Sequence, residues 1–349
     1  MGERGDVGTT ITNLIAAMPK VELHVHLEGC VTPEMALHFA RKNRWSYPYE
    51  SIVQALAAME FSDLSSFIEV ARVNNRTLRT VDDYCDVARQ YLKRMHDENV
   101  VHVEVAVSPQ GFTRRGLEIK PCMEALASAF REALDNFGMT GGIIAGCQRD
   151  RPPDEALEML NELRACRGNI LAVGLHGAEW QNEPRLFERH FQFARAQGWH
   201  TVAHAGEEGP ADYVAQAIDI LAVERIDHGV RAEEDPALLE RLADDQIPLT
   251  VCPLSNVNLG VFARLEETQH RATAAPWHCG LATFRRSALF RRLSLPLLRT
   301  DRCRARSLSR GSGRNEQECY PSRVPGRQEE TKTSGGFGRS LERDRLGGV

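Results

Sequence analysis

A chain of 349 residues that is 42% hydrophobic and 26% charged has the make-up of a soluble globular protein, long enough to bury one large α/β domain or two ordinary ones. Its start lacks a basic-then-apolar signal pattern and no apolar run approaches a membrane span, so a cytoplasmic protein is expected rather than a secreted or membrane-spanning one. The nine cysteines are scattered without a Cys-x-x-Cys pair, which argues against a disulfide framework or a cysteine zinc site and for free thiols.

A polar start and a short helix fill residues 1–18, and the first strand is expected over residues 20–27. There Val21-Glu22-Leu23-His24-Val25-His26-Leu27-Glu28-Gly29 alternates histidine with aliphatic residues. Residues i and i+2 of a strand share a face, so both imidazoles project side by side, as two nitrogen ligands on one metal ion would. The next stretch, to about residue 94, is helical in pattern. Thr32 is placed to cap Pro33-Glu34, and residues 61–79 and 81–95 repeat apolar side chains three and four apart.

Further strands are expected over residues 100–107, 139–146, 170–175, 200–204, 225–229 and 248–252. Helices separate them over residues 123–137, 153–165, 186–197, 211–221 and 236–244. Such βα repeats, spaced by roughly 25–40 residues, predict a parallel sheet. Seven or eight of them favour a (β/α)8 barrel of the TIM type over an open sheet. No internal repeat and no linker interrupts residues 1–270.

In a barrel of this kind, chemistry sits at the carboxyl ends of the strands. His204-Ala205-Gly206-Glu207-Glu208-Gly209 closes the fifth strand, where His204 is a candidate third ligand beside His24 and His26. Three imidazoles and an open position make the catalytic zinc pattern, in which a water is acidified towards neutral pH. Glu207 follows on a turn that Gly206 permits, placed to act as an acid or base beside the metal. Asp227-His228-Gly229 closes the sixth strand and brings a further imidazole to the same region. Singly, His228 reads equally as a capped loop histidine and Glu207-Glu208 as a solvated turn. Together, on three strand ends, they favour a site.

These segments resemble the adenosine deaminase family of zinc purine aminohydrolases. The resemblance is carried by residues 18–29, by His204–Gly209, by Arg225-Ile226-Asp227-His228-Gly229 and by Cys252-Pro253-Leu254-Ser255-Asn256, and covers about residues 15–270. The pattern is most similar to the bacterial and fungal adenine deaminase group. It implies one zinc ion per chain on His24, His26 and His204, with Glu207 as proton donor and His228 as catalytic histidine. The implied reaction is hydrolytic removal of the 6-amino group of adenine or adenosine. Attack on an aromatic ring carbon needs protonation of the adjacent nitrogen, which a carboxyl in dry surroundings can supply. Val173-Gly174-Leu175-His176-Gly177-Ala178-Glu179 matches the family's substrate loop, with Gly177 offering a backbone amide to the ring. His176, however, stands where an aspartate is usual, which puts substrate choice in question. A modified purine or a nucleotide is the alternative substrate.

Beyond His270 the resemblance stops. Residues 271–349 carry 16 Arg and 1 Lys against 7 acidic residues, a net +10 that leaves −15 on residues 1–270. The family continues with an eighth strand ending in Ser-Asp-Asp-Pro, whose aspartates hold zinc and touch the purine, and no such motif follows here. Read as TTC-CGA-CGA-TCC and moved one base, Phe284-Arg285-Arg286-Ser287 spells Ser-Asp-Asp-Pro. Leu289-Phe290-Arg291-Arg292 can likewise yield the family's Tyr-Phe-Gly-Gly. Residues 271–349 are therefore expected to be an out-of-frame tail that lacks the eighth strand. A basic nucleic-acid-binding extension is the weaker reading, since aromatic interleaving is nearly absent. A small-molecule purine is the expected partner, with neither nucleic acid nor membrane. Without the aspartate, weak zinc binding and poor or no turnover are expected, so a non-catalytic relative stands as an alternative.

Overall fold

The computed structural model describes residues 13–59, 63–265 and 267. Seven strands form one sheet in sequence order, each parallel to the next. They are β1 (Lys20–His26), β2 (Val100–Val107), β3 (Thr140–Gln148), β4 (Ile170–His176), β5 (His200–Ala205), β6 (Arg225–His228) and β7 (Leu249–Thr250). The first connection holds four helices, α1 (Pro33–Lys42), α2 (Ile52–Ala57), α3 (Leu64–Asn75) and α4 (Val81–Asp97). After β2 come α5 (Pro109–Thr113) and α6 (Ile119–Phe137). Single helices then alternate with strands: α7 (Pro153–Leu163), α8 (Glu188–Ala196), α9 (Ala211–Asp219) and α10 (Pro236–Asp244), with α11 (Pro253–Asn258) after β7. This is the expected TIM-type order, and it curls into a nearly closed barrel in which the His24 side chain on the first strand reaches the last strand. His24 Nδ1 on β1 lies 3.1 Å from Thr250 Oγ1 and 3.4 Å from the Thr250 carbonyl oxygen on β7.

Local chemistry explains most boundaries. The Thr32 side chain accepts from the Met35 amide at 3.1 Å, as an N-cap should. Capping boxes start α3 (Asp63 with Ser66) and α4 (Thr80 with Asp83). Helix α6 begins at Ile119, ahead of the expected residue 123, because Pro121 falls in its first turn, where the missing N–H costs nothing. Strand β7 keeps only two residues of the five expected. Pro248 cannot donate to the ladder, and Pro253 already opens α11.

Outward-facing residues such as Val103, Val105, Ile143, Val173 and Leu175 pack against the helices in the main core. Each fully buried side chain of that size contributes about 1.5–3 kcal/mol. Inside the barrel a second cluster, Ala106, Ile144, Ala172 and Val202, fills the bore with one residue from each of four adjacent strands. Because the strand period is two, the next inward positions above that plug are Ser108, Gly146, Gly174 and His204. The plug thus forms the floor on which the polar residues of the mouth stand. Gly146 matters sterically, since a Cβ there would overlap the His176 ring.

Six cysteines among the described residues are free and buried, in line with free thiols, and burial pushes Cys147 up to about 12. No described helix is long and apolar enough to cross a membrane. The basic segment 271–349, with the expected loss of the eighth strand, lies outside the described residues.

Candidate functional site

The histidines singled out on β1 and β5 converge above the bore. The Nε2 atoms of His24 and His204 are 2.9 Å apart, and those of His26 and His204 3.1 Å apart. The ligand atoms of all three lie within 4.8 Å of one another. One Nε2 carries at most one proton, so His204 cannot satisfy two ring nitrogens by hydrogen bonding with its own proton. Burial, followed by the neighbouring imidazoles, holds His204 well below the ordinary histidine pKa, which leaves it a neutral lone-pair donor. Three imidazoles with room for a further ligand fit zinc. Behind them, Asp227 Oδ2 lies 3.5 Å from His204 Nδ1.

Glu207 and His228 complete the back of the site, at 2% and 0% exposure. Glu207 Oε1 is 3.3 Å from His228 Nε2. Gly206, at φ +70°, makes the turn that swings Glu207 inward. His228 itself has φ +69°, a left-handed conformation that costs a non-glycine residue free energy and persists where surrounding contacts impose it. One such contact is Asn256 on α11, whose Oδ1 is 3.0 Å from His228 Nδ1. With Asn256 Oδ1 accepting, the His228 proton sits on Nδ1, and Nε2 is turned to Glu207. The ring centroid of His228 stands 4.8 Å from that of His24 and 5.2 Å from that of His204.

A buried ion pair braces the turn that carries Glu207. Arg149, 1% exposed, donates from Nη1 to the His204 carbonyl at 2.7 Å and from Nε to the Asn182 carbonyl at 2.8 Å. Its guanidinium is 3.5 Å from Glu179, which is 0% exposed. Glu179 Oε2 in turn accepts from the backbone amides of Glu208, at 3.0 Å, and Gly209. Both sides of Glu207 are thereby tied to the ends of β3 and β4.

The opposite wall of the cavity has a different character. Leu64, Phe67, Ile68 and Ala71 of α3 give it an apolar face, and Glu28, Asn75, Ser108, His176 and Gly177 give it polar points. Glu28 Oε1 accepts from the Ser108 amide at 2.8 Å, while Oε2 is buried without a protein partner. Burial raises the Glu28 carboxyl above its ordinary value. Asn75 Oδ1 is likewise buried and unpaired. Ser108 Oγ and His176 Nε2 are 2.8 Å apart. Gly177 sits on this wall at φ +105°, where a Cβ would come within 2.9 Å of Asp150. Both arginines of the wall have protein partners, Arg72 in Asp150 at 2.9 Å and Arg115 in the carbonyls of Asn75 and Gly111 at 3.1 and 2.6 Å.

The structure thus gathers His24, His26, His204, Glu207 and His228 into one site and sets Gly177 on the wall facing them. Sequence reasoning missed the contributions of Asn256, Glu28, Arg149 and Glu179. Asn256 and Glu28 stood inside quoted motifs, whereas Arg149 had no local signal.

Residues 19–272 match the family model described as adenosine deaminase. An adenine deaminase from Ectopseudomonas mendocina is 42% identical over 249 residues, covering 71% of this chain and 79% of that one. Among solved structures, adenine deaminase from Arthrobacter aurescens superposes with a TM-score of 0.70 at 41% identity, covering 72% of this chain and 79% of its own. An amidohydrolase from Burkholderia ambifaria, solved with bound Zn, gives 0.68 at 29% identity, with 74% and 71% covered. On this evidence the chain belongs to the adenosine deaminase family, hydrolases that act on a C–N bond of a purine.

Proposed function

We propose that this chain is a zinc-dependent deaminase whose substrate is the free base adenine, converted to hypoxanthine and ammonia. The observation that carries the reading is the meeting of three imidazole Nε2 atoms beside the buried Glu207–His228 pair. His24, His26 and His204 would hold the zinc ion, which when bound supplies an acidified water as nucleophile. Glu207 gives a proton to the ring nitrogen next to the carbon under attack, so that the ring accepts the incoming oxygen. His228, its Nδ1 fixed by Asn256, presents Nε2 to the attacking water and takes up its proton. His228 returns that proton to the amino group, which leaves as ammonia, and the hydroxyl proton passes to Glu207 as the carbonyl forms.

The substrate wall favours a base over a nucleotide. Its arginines are engaged by Asp150 and by backbone carbonyls, and a buried carboxyl, Glu28, stands among them. Among the described residues of this wall, a phosphate would meet no guanidinium lacking a protein partner. Burial raises the Glu28 carboxyl, and in its protonated form it can donate its O–H to a ring acceptor, while the Gly177 amide can serve a second. The similar proteins called adenine deaminases, and the neighbour with bound Zn, support the same assignment.

The test is ammonia release by the full chain loaded with zinc and offered adenine, adenosine and adenosine monophosphate. Adenine should give the highest kcat/KM; turnover of the nucleotide but not the base would overturn the assignment. A second reading, purine binding without turnover, draws support from the sequence after His270, whose only aspartates are Asp301 and Asp344. We read residues 271–349 as an out-of-frame tail that omits the aspartate pair. Calorimetric binding of adenine with no ammonia produced would decide for that second reading.

A further inference from the structure

The geometry points to Thr250 as a positioning residue that fixes the His24 imidazole for metal binding through a hydrogen-bonded relay ending on Asp227. The inference rests on the metal site proposed above. Thr250 is fully buried at the end of β7, on the strand that the His24 side chain reaches. Its hydroxyl lies 2.6 Å from Asp227 Oδ1 and 3.1 Å from His24 Nδ1. Acceptor-only groups settle the direction of each hydrogen. The short 2.6 Å contact is a hydrogen bond from the Thr250 O–H to Asp227 Oδ1, so the lone pairs of the hydroxyl face His24. The Thr250 carbonyl, 3.4 Å from the same Nδ1, is also acceptor-only. Both call for the His24 proton on Nδ1, and the Cys252 thiol, 3.4 Å from that nitrogen, turns its own hydrogen to the Thr250 carbonyl at 3.6 Å. That leaves His24 Nε2 bare and aimed at His204 Nε2, 2.9 Å away.

The far end of the relay faces a guanidinium that it shares with Glu104. Arg225 reaches Asp227 Oδ1 at 3.5 Å and Glu104 Oε2 at 2.8 Å, so the buried carboxylate is compensated. Nothing in the packing calls for a hydroxyl at residue 250. Valine has the same branched shape and a strand propensity at least as high. The oxygen is the part that touches His24 and Asp227. Outer partners of this type orient a ligating imidazole and set its basicity, and their loss commonly costs 10–100-fold in metal affinity.

The experiment compares zinc affinity of the full-length wild type, Thr250→Val, Thr250→Ser and Thr250→Ala by competition with a chromophoric chelator, with far-ultraviolet circular dichroism on each. Thr250→Val should bind zinc about 10–100-fold more weakly than wild type. Thr250→Ser, which keeps the hydroxyl, should return to wild-type affinity. Equal zinc affinity of a folded Thr250→Val and wild type overturns the relay and leaves the metal site standing. So does a folded Thr250→Ser as weak as Thr250→Val. Should the valine variant not fold, Thr250→Ala carries the test, and unchanged zinc affinity there overturns the relay. Failure of the wild type itself to take up zinc overturns the metal site and the relay together.

Discussion

On the side of the mouth built by β5, β6 and β7, imidazole nitrogens turned away from the cavity face acceptors. His24 Nδ1 meets Thr250, His204 Nδ1 faces Asp227 and His228 Nδ1 meets Asn256. On the side built by the Glu28 turn and α3, buried oxygens of Glu28 and Asn75 have no protein partner. Leaving such atoms unpaired costs about 1–3 kcal/mol each, so they mark where a ligand completes the hydrogen bonding. The histidine side thus has the outer nitrogens of its rings fixed, with Asn256 Nδ2 and Arg149 Nη2 left buried without a protein partner. On the Glu28 side, by contrast, the unpartnered atoms are acceptors on the cavity wall. Preorganised groups spend no free energy on reorientation as charge develops in the transition state. The difference predicts which changes act on turnover and which on binding.

Metal removal should show the largest effect. Dialysis against a strong chelator should take ammonia release to background, and zinc should restore it. Activity that persists in the metal-free protein would refute the role given to His24, His26 and His204. Next comes Glu207→Gln, which keeps shape but cannot act as the acid. Its kcat should fall by about 10²–10⁴-fold, with KM for adenine much less affected. A change confined to KM would move Glu207 from the reacting side to the substrate side.

Glu28 tests the other wall. Burial favours its neutral form, so Glu28→Gln should change KM for adenine little, because an amide still offers a donor. Glu28→Leu should raise KM by about tenfold, the worth of roughly one hydrogen bond of 1.4 kcal/mol, with kcat nearly constant. Steady-state kinetics on the pair decides it. A glutamine variant as weak as the leucine variant would mean that Glu28 acts as an anion.

The same division explains how much could be read from the chain. His24 and His26 were legible because a strand repeats every two residues. His204, Glu207 and His228 were legible because strand ends of a parallel barrel face one mouth. Thr250, Asp227 and Asn256 act across contacts between separate strands and helices, a relation that no local pattern encodes. Thr250 lies more than two hundred residues from His24, and only the curl of the sheet brings them together. Arg149 was invisible for the same reason. An isolated arginine reads as surface, and its burial follows from the carbonyls and the Glu179 carboxylate that surround it. Glu28 was in plain view, yet its importance lies in one oxygen that lost its solvent.

The smallest predicted effect concerns Glu208, which shares the braced turn with Glu207. Burial, then the nearby carboxylates of Glu207 and Glu179, push its carboxyl up to about 7 from 4.5. The folded protein therefore holds this proton more tightly than the unfolded chain does. The resulting stabilisation is fully present below pH 4.5, is lost as pH rises through about 7, and is constant above that. Glu208 is partly exposed, so solvent screening reduces the magnitude. Glu208→Gln mimics the protonated form and removes the titration. Tm of wild type should accordingly fall relative to Glu208→Gln between pH 4.5 and 7, with a flat difference at higher pH. A difference that stays constant across that window would show that the turn tolerates a third carboxylate. The brace from Arg149 and Glu179 would then hold the turn whatever the charge of Glu208, and preorganisation of the reacting side would rest on that ion pair alone.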